Sequence, residues 1–183
     1  MEMIIIAVVV VGIGLFIIGA YNGLVKLRNL VEEAFSTMDV YLKKRYDLIP
    51  NLVETVKGYA AHEASTLEKV VQARNMAATA GSMEARIQGE NMLTGALRSL
   101  FALAESYPDL KANANFMDLQ TQLQKVEEDI ANSRKYYNAT VREYNTRTEV
   151  FPYNIIAGLF KFTRKPLFEV AGEEERQRVE VKF

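Results

Sequence analysis

From Met3 to Tyr21 the chain is an almost unbroken apolar run, MIIIAVVVVGIGLFIIGAY, and no charge stands between Glu2 and Lys26. About nineteen helical residues at roughly 1.5 Å each cover close to 30 Å, the thickness of a bilayer's hydrocarbon core. A helix satisfies its own backbone there, which no other single segment does. The run therefore predicts a membrane anchor over residues 1–22. A cleaved signal peptide would need a basic start and an apolar core of roughly 7 to 15 residues, whereas Met1 and Glu2 alone precede this longer run. A buried helix of a soluble protein would keep a polar face, and the run has none.

After Tyr21 the pattern turns amphipathic. Leu24, Leu27, Val31, Ala34, Met38 and Tyr41 recur at spacings of three and four, so the anchor is expected to continue as a helix. A second stripe, Phe35, Met38, Leu42, Arg45, Ile49, Leu52, Val56 and Tyr59, keeps that spacing with one basic interruption and runs past Pro50. Two readings stand at this proline: one kinked helix ending near Gly58, or a chain reversal with Asp47 as the N-cap and Pro50 in the first turn. A further helix is expected over residues 63–80, with Leu67, Val70, Val71 and Arg74, and Ala80-Gly81-Ser82 as its end and turn. Leu93, Leu97, Leu100 and Ala104 form the seam of the next, which stops before Pro108. The longest is expected from about Asp109 to Glu149, with Phe116, Leu119, Leu123, Val126, Ile130, Ser133, Tyr137, Thr140 and Tyr144 in unbroken three-four alternation.

The fold class that follows is all-α: an N-terminal transmembrane helix continuing into an antiparallel up-and-down four-helix bundle with coiled-coil-like seams. The domain division expected is an anchor (1–22), a bundle (23–150), an aromatic membrane-proximal segment (151–172) and a charged flexible tail (173–183). An even number of bundle helices returns the chain to the end it left. What arrives there is rich in Phe151, Tyr153, Ile155, Ile156, Leu159, Phe160, Phe162 and Phe168, interleaved with Lys161, Arg164 and Lys165. Aromatic rings and cationic heads suit the headgroup region, so residues 151–168 are expected against the membrane beside the anchor, the alternative being that these aromatics plug the open base of the bundle.

Composition removes more than it adds. Twenty-two basic and 23 acidic residues leave a formal charge of −1, so no global field draws nucleic acid. Without Cys there is no disulfide, thiolate nucleophile or sulfur-bound metal. The lone histidine, His62, precedes Glu63, but Thr66 stands where a zinc-binding HExxH pattern needs its second histidine. No serine sits in a G-x-S-x-G turn, Gly12-Ile13-Gly14 lies inside the apolar run, and the consecutive Glu127, Glu128 and Asp129 fan round a helix as a solvated face. No catalytic residue, cofactor or metal is expected, and the chain is read as a non-enzyme. Asn22, Asn51, Asn113, Asn115, Asn138 and Asn145, many beside aromatics, are expected to satisfy buried backbone or one another and to fix helix register.

Several blocks resemble the LemA proteins of bacterial membranes: Tyr21-Asn22 with Leu24-Val25 after the span, RYDLIPNLVETVKGYAAHE, SYPDLKANANF, RKYYNATVREYN and FPYNIIAGLFKF. The resemblance implies one N-terminal membrane helix with a short external end and a helical bundle. It brings no catalytic residues, and the molecular role of such proteins is not established.

Together these readings favour a scaffold or interaction protein of the bacterial inner membrane, binding the bilayer, itself and other membrane proteins, and no nucleic acid. An accessory or regulator of a membrane protease or stress response, or a peptide- or lipid-binding module, is the alternative. Lys26 and Arg28 follow the span and no basic residue precedes it, which places the N-terminus outside and the body in the cytoplasm. Gly12, Gly19 and Gly23 make a small-residue stripe, with one GxxxG from Gly19 to Gly23, suited to close helix approach. Phe151, Tyr153, Phe160 and Phe162 are the expected membrane contacts.

Overall fold

The computed structural model describes residues 1–169, and each regular element among them is a helix. They are α1 (Glu2–Lys57), α2 (Ala64–Ala78), α3 (Met83–Ala104), the single turn α4 (Pro108–Lys111), α5 (Ala114–Glu149) and α6 (Tyr153–Leu159). The tail expected over residues 173–183 lies outside the described residues. The chain divides into two compact units, one of residues 1–40 and 130–167, the other of 41–129 with the described residues Phe168 and Glu169. α1 and α5 each contribute a length to both.

In the unit of residues 41–129, the core takes Leu42, Ile49, Leu52 and Val56 from α1, Leu67, Val70, Ala73 and Ala77 from α2, Leu93, Leu97 and Leu100 from α3, and Phe116, Leu123 and Val126 from α5. Apart from Ala73 and Ala77, which the sequence reading did not single out, these lie on its three-four seams; of the seam residues it named, Val71 and Tyr59 are exposed and Arg74 is half-buried. The α2–α3 turn ends at Ser82, whose hydroxyl accepts from the Ala85 amide at 3.1 Å and caps α3. Seven residues on, Gly89 lies against α2: a Cβ there would stand 2.7 Å from the Ala77 Cα. Glycine and alanine let the two backbones touch.

Pro50 does not stop α1, which continues to Lys57. Proline has no N–H to give the carbonyl four residues back, and its ring crowds that carbonyl. The carbonyl concerned is that of Tyr46, and Arg74 of α2 donates to it through Nε at 3.2 Å. A tertiary hydrogen bond stands in for the helical one, so the reading of one helix through Pro50 to near Gly58 holds and the reversal at Asp47 does not occur. The expectation of one helix from Asp109 needs correction. Lys111 closes a separate turn, and α5 starts at Ala114 because the Asn113 side chain accepts from the Phe116 amide at 3.0 Å. An asparagine that bonds the backbone three residues ahead competes with helix continuation through itself.

In the unit of residues 1–40 and 130–167, α1 buries Val31, Ala34 and Met38, and α5 buries Tyr137, Thr140, Val141 and Tyr144. The Phe35 and Tyr137 rings meet edge-on at 5.8 Å. After α6 the chain lies extended along α5. Tyr144 donates to the Thr163 carbonyl at 3.1 Å and Tyr137 to that of Pro166 at 3.0 Å. The Asn145 amide donates to the Lys165 carbonyl and accepts from its N–H, each at 2.9 Å. One side-chain amide thus satisfies both backbone polar groups of a residue, the role expected of the asparagines, whereas Asn22, Asn51 and Asn115 are exposed. α6 was not foreseen as a helix, being too short to show a period. It ends with Lys161 at φ 57°, the Phe162 amide bonded to the Ala157 carbonyl at 2.9 Å and the Lys161 amide to that of Gly158 at 3.3 Å. This paired pattern closes a helix through a left-handed residue.

Candidate functional site

Two features of the molecule call for more than packing. The first is the outer surface of α1 and α6. An 18-residue window of α1 has a mean hydropathy of 3.0 and is only 6% buried. Ile4, Ile5, Ile6, Val8, Val9, Val10, Val11, Ile13, Leu15 and Ile18 are exposed. A core helix of that composition would be covered, so the run is consistent with membrane anchoring. Beside its end, Ala20 and Leu24 form a buried cluster with Ile156 and Ala157 of α6, and Ile17, Tyr153 and Phe162 pack around it.

The aromatic residues order themselves along this contact. Tyr153 meets Phe16 at 5.9 Å between ring centroids, and Tyr21 meets Phe160 at 4.8 Å and Phe162 at 5.8 Å. The Arg147 guanidinium lies over Tyr153 at 4.4 Å and that of Arg28 over Phe162 at 5.5 Å, geometries in which a cation is drawn to the ring face. Tyr153, Phe160 and Phe162 are thus brought together on α1, while Phe151 stands out at 78% exposure. Gly12, Gly19 and Gly23 have open space where a side chain would be. Burial pushes the Tyr137 and Tyr144 hydroxyls above the usual tyrosine value, and nearby Arg28 partly offsets this at Tyr144.

The second feature is a charged cluster in the core of the other unit. Arg45 of α1 is 2% exposed and Glu90 of α3 is 3% exposed. The two form an ion pair, and the Tyr46 hydroxyl donates to the same carboxylate. Arg45 also donates through Nη1 to Glu127 of α5 at 2.6 Å, while its Nε has no hydrogen-bond partner. One guanidinium therefore ties three helices. Glu127 was read as part of a solvated face, and its side chain is 41% exposed; the reading missed that it also reaches the buried Arg45. Arg45 was visible as the basic interruption in an apolar stripe. Glu90 carried an equal signal that went unused, since it sits three residues before Leu93 on the seam of α3.

The cluster holds no nucleophile, and its carboxylates are occupied. Among the described residues no group of three or more His, Cys, Asp or Glu could hold a metal ion. His62 is exposed in the turn after α1. Beside that turn, an open groove of about 710 Å³ is lined by Val53, Lys57, Leu67, Val71 and Met76 among others.

These features define a protein that is helical, with one N-terminal helix among the described residues long and apolar enough to cross a membrane. Residues 34–183 match the LemA family, and the chain belongs to it. It is similar to Protein LemA of Metamycoplasma hominis, 26% identical over 179 residues that cover 94% of this chain and 80% of that protein. It is also similar to Magnetosome protein MamQ 2 of Paramagnetospirillum magneticum, 26% identical over 175 residues. Magnetosome protein MamQ of Magnetospirillum gryphiswaldense is 23% identical over 174 residues. The chain spans 64% of the length of each of these two magnetosome proteins.

Proposed function

We propose that the protein is a membrane-anchored helical scaffold, held in a bacterial inner membrane by residues 3–21, that works by assembling with itself and with other membrane proteins rather than by catalysis. The observation that carries this reading is the contrast along α1: its first 18-residue apolar window is almost wholly uncovered, whereas Leu24, Val31, Ala34 and Met38 beyond it are buried. The apolar surface left bare is of the size and kind that lipid covers. Lys26 and Arg28 support a cytoplasmic body, and Arg147, Lys161, Arg164 and Lys165 add basic charge to the unit that carries α6. Self-assembly is drawn from Gly12, Gly19 and Gly23, whose open face permits a second helix to approach.

Cross-linking in intact membranes tests this. Self-linked species and links to other membrane proteins are expected, with the self-linked ones lost when Gly12→Leu and Gly19→Leu are combined. A parent chain that yields monomer alone at every cross-linker concentration removes the assembly reading.

A further inference from the structure

α6 is seven residues long, too short to persist by itself in water, and it is held by Ile156 and Ala157 against Ala20 and Leu24. Its opposite face is bare. Ile155 is 59% exposed and Leu159, one turn on, 68%; Phe151 and Phe160 flank them, also exposed. An isolated surface leucine needs no explanation, but four large apolar residues exposed within ten positions, two on α6 and one on each flank, mark a contact surface.

The contacts with α1 give its level. Tyr153 meets Phe16, five residues before Tyr21, so this end of α6 lies about 7 Å inside the end of the apolar run at helical rise. On the side of α1 that meets α6, Ile13 and Phe16 are exposed and apolar as well, so the apolar surface runs on from α6 along α1. Cations border the patch at its Phe162 end: Arg28 lies over the Phe162 ring, and Lys161 and Arg164 are exposed just beyond α6, Arg164 paired with Glu149 at 2.9 Å, while Arg147 covers the Tyr153 ring at the other end. Apolar side chains on one level with aromatic rings and basic heads at the rim match the passage from acyl chain to headgroup. A soluble partner would need a comparable apolar groove and would gain nothing from the continuity with α1.

We propose that α6 is a second membrane-inserting element, laid in one leaflet beside α1 with Phe151, Ile155, Leu159 and Phe160 against lipid. This rests on the anchor reading of α1. The membrane attachment is then a helix plus a one-leaflet wedge, and α6 fixes the depth at which α1 sits.

The chain contains no Trp, so one introduced indole reports alone. The full chain is reconstituted into phosphatidylcholine–phosphatidylglycerol vesicles carrying bromine at shallow or deep acyl positions, in four variants: Ile155→Trp, Leu159→Trp, Val9→Trp for the anchor and Met92→Trp on α3 as the aqueous reference. Ile155→Trp and Leu159→Trp are expected to lose most of their emission to shallow bromine and to resist aqueous iodide, and Val9→Trp to lose most to deep bromine. If Val9→Trp is quenched by lipid while both α6 variants respond to iodide like Met92→Trp, the wedge is overturned and the anchor stands. Failure of Val9→Trp to respond to bromine overturns both. Shielding of the α6 variants from bromine and iodide alike shows a protein surface there, a second copy of the chain included, and overturns the wedge.

Discussion

Arg45 shows how one side chain can settle the register of a helical core. A buried guanidinium meeting two carboxylates gains little over an apolar core, because removing the charges from water offsets most of their attraction. Its removal alone is another matter, since Glu90 would remain buried without its counter-charge. Arg45→Met is expected to destabilise the protein by about 3–5 kcal/mol, measured by urea unfolding. Adding Glu90→Leu and Tyr46→Phe should recover most of that loss. A triple variant as unstable as the single one would show that the cluster does more than neutralise itself. Half of this arrangement was legible in the sequence: a charge on an apolar stripe marks a buried ion, but its partner lies on another helix, and spacing along one helix carries no information across to the next.

Between elements, the close passage of α2 and α3 depends on Gly89. A methyl group there meets Ala77 main-chain atoms at 2.7 and 2.8 Å, which cannot yield as the end of a flexible side chain would. Gly89→Ala gains helix propensity, and its overpacking is nonetheless expected to leave a net loss of about 1–3 kcal/mol, read as a lower urea midpoint. Pro50 inside α1 offers a sharper measurement. Arg74→Ala removes the donor to the Tyr46 carbonyl and is expected to cost about 1–2 kcal/mol. In a Pro50→Ala background, where residue 50 supplies its own N–H, the same change should cost clearly less. Equal costs in the two backgrounds would show that the arginine does not replace the missing helical bond.

Across the whole chain, the four long helices were readable because each repeats its apolar positions over many turns. α6 was not, because a seven-residue helix has room for two turns and owes its existence to the surface of α1. The expected topology is open to a direct check, since the chain has no cysteine of its own. Ser99→Cys, exposed on α3 and free of the capping role that Ser82 plays, is expected to resist a membrane-impermeant maleimide in cells whose outer layer is opened and inner membrane sealed. Prompt labelling would reverse the orientation. The proline of α1 also bears on how the chain is made. The ribosome delivers Pro50 before Arg74, so the carbonyl that Pro50 cannot satisfy emerges before the side chain that completes it. The turn of α1 from Tyr46 to Pro50 is therefore one whose last hydrogen-bond donor is synthesised after it, and a nascent chain halted ahead of α2 should show that turn frayed while the anchor is already formed.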